Sequence, residues 1–315
     1  MVGSEVLCVG EVLWDSLPSG LFLGGAPFNV AGHLNALGVA ASIVSRVGVD
    51  RLGDEALLRI AARGIDTGLI QRDPELETGF VSVSMTGEGI PSYRIVEPAA
   101  WDRIELNDGL IDRTASASAI VYGSLAQRHP RSRLCIERLC ELATYRVFDV
   151  NLRPPHESPD VVSRSLRYAD LVKLNEAELR QMATWFDLPA DAREAVTALA
   201  AEFGCQIVCV TRGSEGAAIL NDGRWSEHAG FKVRVVDTVG AGDAFLAAVL
   251  FGLSAGREDD EILEQANLLG AYVATQPGAI PDYRQEVIAR ILEDNGYSQE
   301  DCRFLVWGRF PRALP

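Results

Sequence analysis

The chain has 315 residues, of which 48% are hydrophobic and 23% are charged, and its 29 basic and 44 acidic side chains give a formal net charge of −15. This composition is that of a globular protein, and the length suits one large α/β domain or two smaller ones. Because the sequence carries no basic stripe, nucleic acid is excluded as an expected partner.

Three features of the sequence concern its location. The first residues, MVGSEVLCVGEVLWD, lack the basic segment and long apolar stretch of a secretory signal. The longest apolar run, residues 244–253, is far shorter than the ~20 residues that a membrane span needs. The six cysteines include no CxxC pair, which argues against a disulfide framework or a zinc site. We therefore expect a cytoplasmic protein without a membrane partner.

Short apolar segments alternate with helical patterns along most of the chain. Strands are predicted at residues 6–9, 41–47, 119–122, 145–150, 171–174 and 206–211, and helices at 26–37, 54–63, 131–143, 244–253 and 260–275. This alternation predicts a doubly wound, mostly parallel sheet with helices on both faces. Such a sheet binds ligands at the carboxyl ends of its strands. Four polar segments fall there: residues 10–11, 149–151, 173–175 and 211–213.

Two stretches break this rhythm. Residues 12–24 and 79–101 contain alternating segments such as Phe80-Val81-Ser82-Val83-Ser84, which are typical of a sheet with one wet face. We interpret both as a small antiparallel β lid, beside a main domain formed by residues 1–11, 25–78 and 102–315. Two surface hairpins without a role are the alternative. Residues 295–315 are assigned to no element.

The segment Asp237-Thr238-Val239-Gly240-Ala241-Gly242-Asp243-Ala244-Phe245 carries the strongest chemical signal. Its glycines permit close approach of a ligand to the backbone, and a helix start attracts an anion. Asp243 is then a candidate general base for phosphoryl transfer; the alternative is a carboxylate that only stabilises the helix start. A dinucleotide fingerprint would need a third glycine where Phe245 stands, and no Lys-Ser/Thr pair follows Gly53 as a P-loop requires.

Two distant segments resemble the signatures of the PfkB (ribokinase-like) carbohydrate kinases. The first is Gly24-Gly25-Ala26-Pro27-Phe28-Asn29-Val30-Ala31, continuing to Gly53, and the second is residues 237–245. The resemblance extends from residue 4 to residue 285. It implies a ribokinase-like fold and an ATP-dependent sugar kinase that uses Mg²⁺.

The resemblance also implies a role for each matching residue. Asp243 would be the catalytic base, beside an anion hole formed by Gly240, Ala241 and Gly242. Residues on the sugar side would be Asp15, Gly24, Gly25 and Asn29. Residues on the ATP side would be Lys173, Asn175, Thr211, Gly213, Gly216 and Asn267. Glu178 would hold Mg²⁺ through water, and Asp237 with the loop 274–279 resembles a monovalent-cation site, which leaves open whether K⁺ is needed.

The choice of sugar depends on fewer residues. Asp149-Val150-Asn151-Leu152-Arg153-Pro154 resembles a stretch of fructokinase-like and ketodeoxygluconate kinase-like members. Arg153 would contact substrate hydroxyls or the phosphate, because its planar fork suits pairs of oxygens, and Asn151 would contact the sugar; a strand-end turn is the alternative. Trp101 would form a wall of the sugar pocket or be an ordinary core residue. We predict fructose, with ribose, 2-keto-3-deoxygluconate and nucleosides as alternatives.

Two alternatives belong to other functional classes: a sugar- or nucleotide-sensing binding protein, and a structural subunit without turnover. The presence of Asp243, Asn175 and Glu178 argues against both. The expected partners are therefore a sugar and ATP. The open edges of the lid also predict a homodimer through the lid.

Overall fold

The computed structural model describes residues 5–17, 20–85 and 91–298. Its strands are β1 (Val6–Val9), β2 (Leu13–Leu17), β3 (Gly20–Gly24), β4 (Ala41–Gly48), β5 (Ile70–Asp73), β6 (Gly79–Met85), β7 (Pro91–Ile95), β8 (Ala119–Gly123), β9 (Arg146–Asp149), β10 (Leu171–Asn175), β11 (Ile207–Thr211), β12 (Ala217–Asn221) and β13 (Arg224–His228). Its α-helices are α1 (Ala26–Ala36), α2 (Arg51–Ala62), α3 (Asp108–Ser116), α4 (Pro130–Leu142), α5 (Pro159–Tyr168), α6 (Glu176–Phe186), α7 (Ala192–Phe203), α8 (Ala241–Ser254), α9 (Asp259–Ala274) and α10 (Gln285–Asp294).

The larger sheet has the strand order β13-β12-β11-β10-β9-β8-β1-β4-β5. From β5 to β11 every neighbouring pair is parallel, whereas β12 and β13 add an antiparallel hairpin at one edge. The chain builds outward from β1 to β5 and then returns to β8 and builds the other way, so the order reverses beside β1. The predicted doubly wound, mostly parallel sheet is confirmed. The reversal is where such sheets bind ligands.

The position of strand β1 within the sheet explains why its sequence is apolar throughout. Val6 and Cys8 belong to the hydrophobic core on one face of the sheet, while Leu7 and Val9 belong to the core on the other face. Successive side chains of a strand point to opposite faces. A strand covered on both faces therefore needs no polar position.

Helix α8 lies in the core that includes Val6 and Cys8, where it packs against α1 and α9. Its residues from Asp243 to Leu250 are all buried, so the helix is apolar on every side except at its first turn. That first turn contains Asp243, which the apolar packing of the following turns holds in place.

The smaller sheet has the order β3-β2-β6-β7. It consists of two antiparallel hairpins, β2–β3 and β6–β7, joined by parallel pairing of β2 with β6. This is the second sheet that residues 12–24 and 79–101 predict. Strand β3 leads through Gly25 directly into α1, so the smaller sheet adjoins the start of that helix.

Within the described ranges, no helix is both long and apolar enough to cross a membrane. Residues 299–315, which include most of the unassigned C-terminal stretch, lie outside the described residues.

Candidate active site

The predicted anion hole stands at the start of α8. Gly240 precedes the helix in the left-handed conformation, with φ of 80°, and no side chain among the described residues caps this helix start. An uncapped start leaves backbone N–H groups for an anion, and the helix dipole adds positive potential. A Cβ at Gly240 would lie 2.5 Å from the carbonyl oxygen of Ala279. The turn therefore requires glycine both for its conformation and for its close contact.

We expect Gly240→Ala to disrupt this turn. The left-handed conformation and the contact with Ala279 together cost about 1–3 kcal/mol, and displacement of the loop weakens ATP binding. Gly256→Ala is the matched control, because Gly256 follows the other end of α8 with φ of 67° and open space around it. Thermal unfolding and the KM for ATP measure both effects. Equal changes in the two variants would contradict the special role of Gly240.

Asp243 is held by a residue from the distant first signature. Asn29 Nδ2 in α1 donates a hydrogen bond of 2.8 Å to Asp243 Oδ2, and both side chains are buried. Burial and the nearby Asp149 raise the pKa of Asp243, while Lys173, Asn29 and Arg153 lower it, and the net result is a pKa of about 6. The result is a carboxylate closer to neutrality than an exposed aspartate, which suits a general base.

Lys173 supplies positive charge beneath the anion loop. Its Nζ lies 3.0 Å from Asp149 Oδ1, in an ion pair buried on both sides. A Cβ at Gly242 would lie 2.9 Å from the same Nζ, so the ammonium group is next to the first turn of α8. Burial alone would lower the pKa of Lys173, but the charges of Asp149, Asp243 and Glu178 outweigh it and the pKa is raised. Lys173 is therefore charged.

Asn175 and Glu178 form a reciprocal capping box at the start of α6. Asn175 Oδ1 accepts the N–H of Glu178 at 2.9 Å, and Glu178 Oε2 accepts the N–H of Asn175 at 2.8 Å. Helix capping thus accounts for this pair of residues without a ligand. Glu178 Oε1 also accepts the N–H of Leu152 at 2.8 Å, which ties the loop carrying Asn151 and Arg153 to α6.

The acidic groups here fit a magnesium ion held through water. In the part of the chain that the structure describes, no group of three or more His, Cys, Asp or Glu side chains is arranged to hold a metal. Asp149 Oδ2, however, is buried without a hydrogen-bond partner among the described residues, and Glu178 is buried nearby. Mg²⁺ commonly keeps several waters and uses one or two carboxylates. The pair Asp149 and Glu178 offers that number.

The predicted sugar-side residues meet where β2, β3 and α1 join. The Asp15 side chain lies over Gly24, because a Cβ there would come within 2.6 Å of Asp15 Oδ2. Burial raises the pKa of Asp15 to about 6, against the charge of Arg153. Arg153 also acts on Asp243. The positive charge of Arg153 therefore lowers the pKa both of Asp15, on β2, and of Asp243, in the first turn of α8.

Glu11, which the sequence analysis did not assign to the site, lies beside the predicted sugar-side residues. Glu11 follows β1, is only 3% exposed and accepts the N–H of Ala26 through Oε1 at 3.3 Å. Its pKa is raised to about 7, chiefly by burial, with Arg153 lowering the pKa and Asp243 raising it. The sequence signal that could have assigned Glu11 to the site was its position at the end of a predicted strand.

Four of the six predicted ATP-side residues line a cavity of about 400 Å³, namely Thr211, Gly213, Gly216 and Asn267. Lys173 and Asn175, the other two, are not among its lining residues. Ala241 and Gly242 line it as well, so the cavity reaches the anion loop. Phe231, Val233 and Phe245 give it an apolar wall. An apolar cleft that ends at an anion site suits a nucleotide.

Asp237 connects the two loops of the predicted cation site. Its Oδ1 accepts the N–H of Val239 at 3.0 Å, and its Oδ2 accepts the N–H of Gly278 at 3.3 Å.

The sequence prediction also missed His33 of α1, whose Nε2 donates to the Ala279 carbonyl at 3.0 Å. Burial lowers the pKa of His33 to about 4. A neutral His33 therefore fixes this loop against Gly240.

The structure places Trp101 in the hydrophobic core. Its side chain has no exposed surface, it belongs to the core with Leu7 and Val9, and the Arg128 guanidinium stacks 4.0 Å from the ring centroid. Of the two readings of Trp101, these contacts favour the core residue over the wall of a sugar pocket.

We expect Trp101→Phe to lower stability and leave sugar binding unchanged. The smaller ring leaves a void beneath Arg128, which costs about 1–3 kcal/mol. Denaturant unfolding and the KM for the sugar measure the two effects, and Trp185→Phe on α6 is a control at a half-buried tryptophan. A tenfold rise in the sugar KM at unchanged stability would return Trp101 to the substrate site.

Comparison with known proteins identifies the family. Residues 20–286 match the family described as pfkB family carbohydrate kinase, so the chain belongs to the pfkB family. The fructokinase of Escherichia coli is 30% identical over 298 residues, which cover 89% of this chain and 96% of that protein. The chain is an ATP-dependent sugar kinase, as the resemblance implied.

Two solved structures share the fold. A fructokinase of Xylella fastidiosa with bound ATP is 25% identical with a TM-score of 0.78, covering 92% of this chain and 98% of that one. A double-mutant fructokinase of Vibrio cholerae O395, with fructose, ADP and a potassium ion bound, is 26% identical with a TM-score of 0.77 over the same shares.

Proposed function

We propose that this sugar kinase transfers the γ-phosphate of ATP to a primary hydroxyl of fructose, with Asp243 as general base. The observation that carries the proposal is the 2.8 Å hydrogen bond between Asn29 and Asp243. It joins the predicted sugar side to a carboxylate in the first turn of α8, beside the anion loop. A base at that point can serve a hydroxyl that attacks a phosphate bound at the helix start.

The proposed chemistry divides among this chain's own groups. Asp243 accepts the hydroxyl proton as the sugar oxygen attacks the γ-phosphorus, and the N–H groups of residues 240–242 stabilise the charge that develops on the phosphate. Asn29 orients the carboxylate, and Lys173 adds positive charge beneath the loop. The cavity lined by Thr211, Gly213, Gly216 and Asn267 holds the nucleotide.

Metal ions belong to the proposal in two places. Mg²⁺, held through water near Asp149 and Glu178, would neutralise charge on the ATP phosphates. A monovalent cation would lie near Asp237 and the loop 274–279, and the potassium ion in the Vibrio cholerae fructokinase supports testing K⁺ first.

The smaller sheet is proposed as the lid, made of residues 12–24 and 79–101. Closure over the sugar would exclude water, which otherwise competes as phosphate acceptor. Strand β3 is an edge of this sheet and exposes Leu21 and Phe22, which supports a homodimer through the lid. Light scattering of the purified chain tests the dimer directly.

A sugar panel tests the proposed substrate. The chain is assayed with ATP and Mg²⁺ against fructose, ribose, 2-keto-3-deoxygluconate and a nucleoside. The fructokinase relative of Escherichia coli and the fructose in the Vibrio cholerae structure support fructose as the sugar with the highest kcat/KM. A higher value for another member of the panel would reassign the substrate and leave the phosphoryl-transfer site intact.

A further inference from the structure

Glu11 has a buried carboxylate oxygen to which no described residue donates a hydrogen bond. Its Oε1 accepts the N–H of Ala26, but Oε2 is buried without a hydrogen-bond partner among the described residues. Burying a carboxylate oxygen without a partner is costly, and native structures seldom do so without a reason. The unsatisfied oxygen therefore points to a donor that arrives with a ligand.

The surroundings of Glu11 identify the ligand site. Its backbone carbonyl lies against Gly25, because a Cβ at Gly25 would be 2.3 Å from the carbonyl oxygen of Glu11. Its carboxyl group interacts electrostatically with Arg153 and with Asp243. Gly25 and Arg153 belong to the predicted sugar side, and Asp243 is the proposed base. Glu11 thus lies between the lid corner and the reacting end of the site, beside the reversal of the strand order.

We propose that Glu11 is a sugar-binding residue whose Oε2 accepts a hydrogen bond from a non-reacting hydroxyl of the bound sugar. This inference rests on the proposed function, because it takes the junction of β2, β3 and α1 as the sugar side. A sugar hydroxyl is a suitable donor, because a buried oxygen without a hydrogen bond is costly and a hydroxyl group supplies the missing O–H.

The same arrangement selects a class of sugar. Three carboxyl groups lie at one site, those of Glu11, Asp15 and Asp243. A substrate that carries a negative charge would be repelled there. The positive charge of Arg153 lowers the pKa of all three carboxyl groups. Its charge is therefore already balanced by them. The site therefore favours a neutral polyhydroxy sugar over a sugar acid such as 2-keto-3-deoxygluconate.

A purely positioning role for Glu11 makes a different prediction. Through Oε1 the residue holds the first N–H of α1, the helix that carries Asn29, and a glutamine keeps that acceptor. Glu11→Gln replaces only Oε2 by an amide NH₂ group of the same size. The variant therefore separates the proposed sugar contact from support of α1.

The test is a cycle that combines the protein variant with altered substrates. Wild type and Glu11→Gln are assayed with the sugar that the panel selects and with its monodeoxy analogues, each lacking one non-reacting hydroxyl. We expect Glu11→Gln to lower kcat/KM for the parent sugar about 10- to 100-fold, mainly through KM. One analogue should lower the wild-type value by a similar factor and cause little further loss in the variant.

Two controls make the result decisive. Glu11→Gln should melt no lower than wild type and bind ATP equally well, and Glu55→Gln at a partly exposed position of α2 should leave kcat/KM unchanged. If every analogue lowers kcat/KM by the same factor in both proteins, Glu11 makes no sugar contact and the inference is overturned. Selection of a sugar other than fructose overturns only the substrate assignment, because the cycle runs on whichever sugar is accepted.

Discussion

Asp243→Asn should fold, bind ATP and lose about a hundred- to ten-thousand-fold in kcat, which is the usual contribution of a general base. Asparagine keeps the size of the side chain and its contact with Asn29, but it cannot accept the hydroxyl proton. Steady-state kinetics with ATP and the preferred sugar measure the loss. Calorimetric titration with ATP tests whether the nucleotide site is intact.

The stability of the same variant distinguishes lost chemistry from lost structure. The pKa of Asp243 in the folded protein is raised to about 6 from an ordinary value of 3.8. Between these two values the folded state binds more protons than the unfolded state, so this group makes stability fall as pH rises. Asparagine removes that penalty. Asp243→Asn should therefore melt no lower than wild type at pH 7, and its stability should fall less between pH 4 and pH 6.

The pH dependence of turnover follows from the same pKa. Wild-type kcat should decline as pH falls through about 6, because the carboxylate becomes protonated. Asp260→Asn, at an exposed position in the first turn of α9, is the control and should keep both the rate and the profile. Retention of more than a tenth of wild-type kcat in Asp243→Asn would remove the general-base assignment.

The elements that sequence predicted best are those with a strong local pattern. The apolar run of β1 predicts a strand buried on both faces, and the structure has it. Helix α2 was predicted from residue 54 but begins at Arg51, because Asp50 accepts the N–H of Gly53 at 2.7 Å. Helix α8 was predicted from residue 244 and begins at Ala241, after the left-handed Gly240. Element ends depend on caps and backbone angles, which periodicity does not report.

Contacts between distant residues set the limit of the sequence prediction for the site. Asn29 was expected to face the pocket, but its bond to Asp243, 214 positions away, follows only from the packing of α1 against α8. Likewise, only the three-dimensional packing shows that no described residue donates a hydrogen bond to Glu11 Oε2. No pattern of neighbouring residues encodes such an absence.

The Asn175–Glu178 pair shows that a short motif can have a structural explanation beside the functional one. The resemblance gave the pair a nucleotide and magnesium role, and the structure adds a capping box that stabilises α6 by itself. The two roles are compatible, because each carboxylate oxygen has capacity beyond one backbone N–H. The magnesium role of Glu178 stays a prediction.

Lys173→Met should cause the largest loss of stability among the variants considered. The substitution removes the ammonium group that pairs with Asp149 at 3.0 Å, in a buried site where Asp149 Oδ2 already lacks a partner among the described residues. Removal of one member of a buried ion pair typically costs about 3–5 kcal/mol, since it leaves an uncompensated charge. Denaturant unfolding at pH 7 measures the change.

The double variant Lys173→Met/Asp149→Asn identifies the cause of that loss. If the unpaired charge of Asp149 is responsible, removing it should recover most of the stability, because a neutral pair of similar size is often nearly as stable as the ion pair. Asp149→Asn alone serves as the other corner of the cycle. An additive result, with no recovery, would mean that Lys173 contributes packing and not charge compensation.

The pH profile of Lys173→Met carries the argument from stability to chemistry. Lys173 lowers the pKa of Asp243 and Asp149 raises it. Loss of Lys173 alone should therefore move the acid limb of kcat to higher pH, and loss of both groups should move it back. Some of the activity that Lys173→Met loses at pH 7 should return at higher pH, whereas loss of a phosphate contact would lower kcat at every pH. An acid limb that stays in place would show that the charge of Lys173 is not coupled to the base.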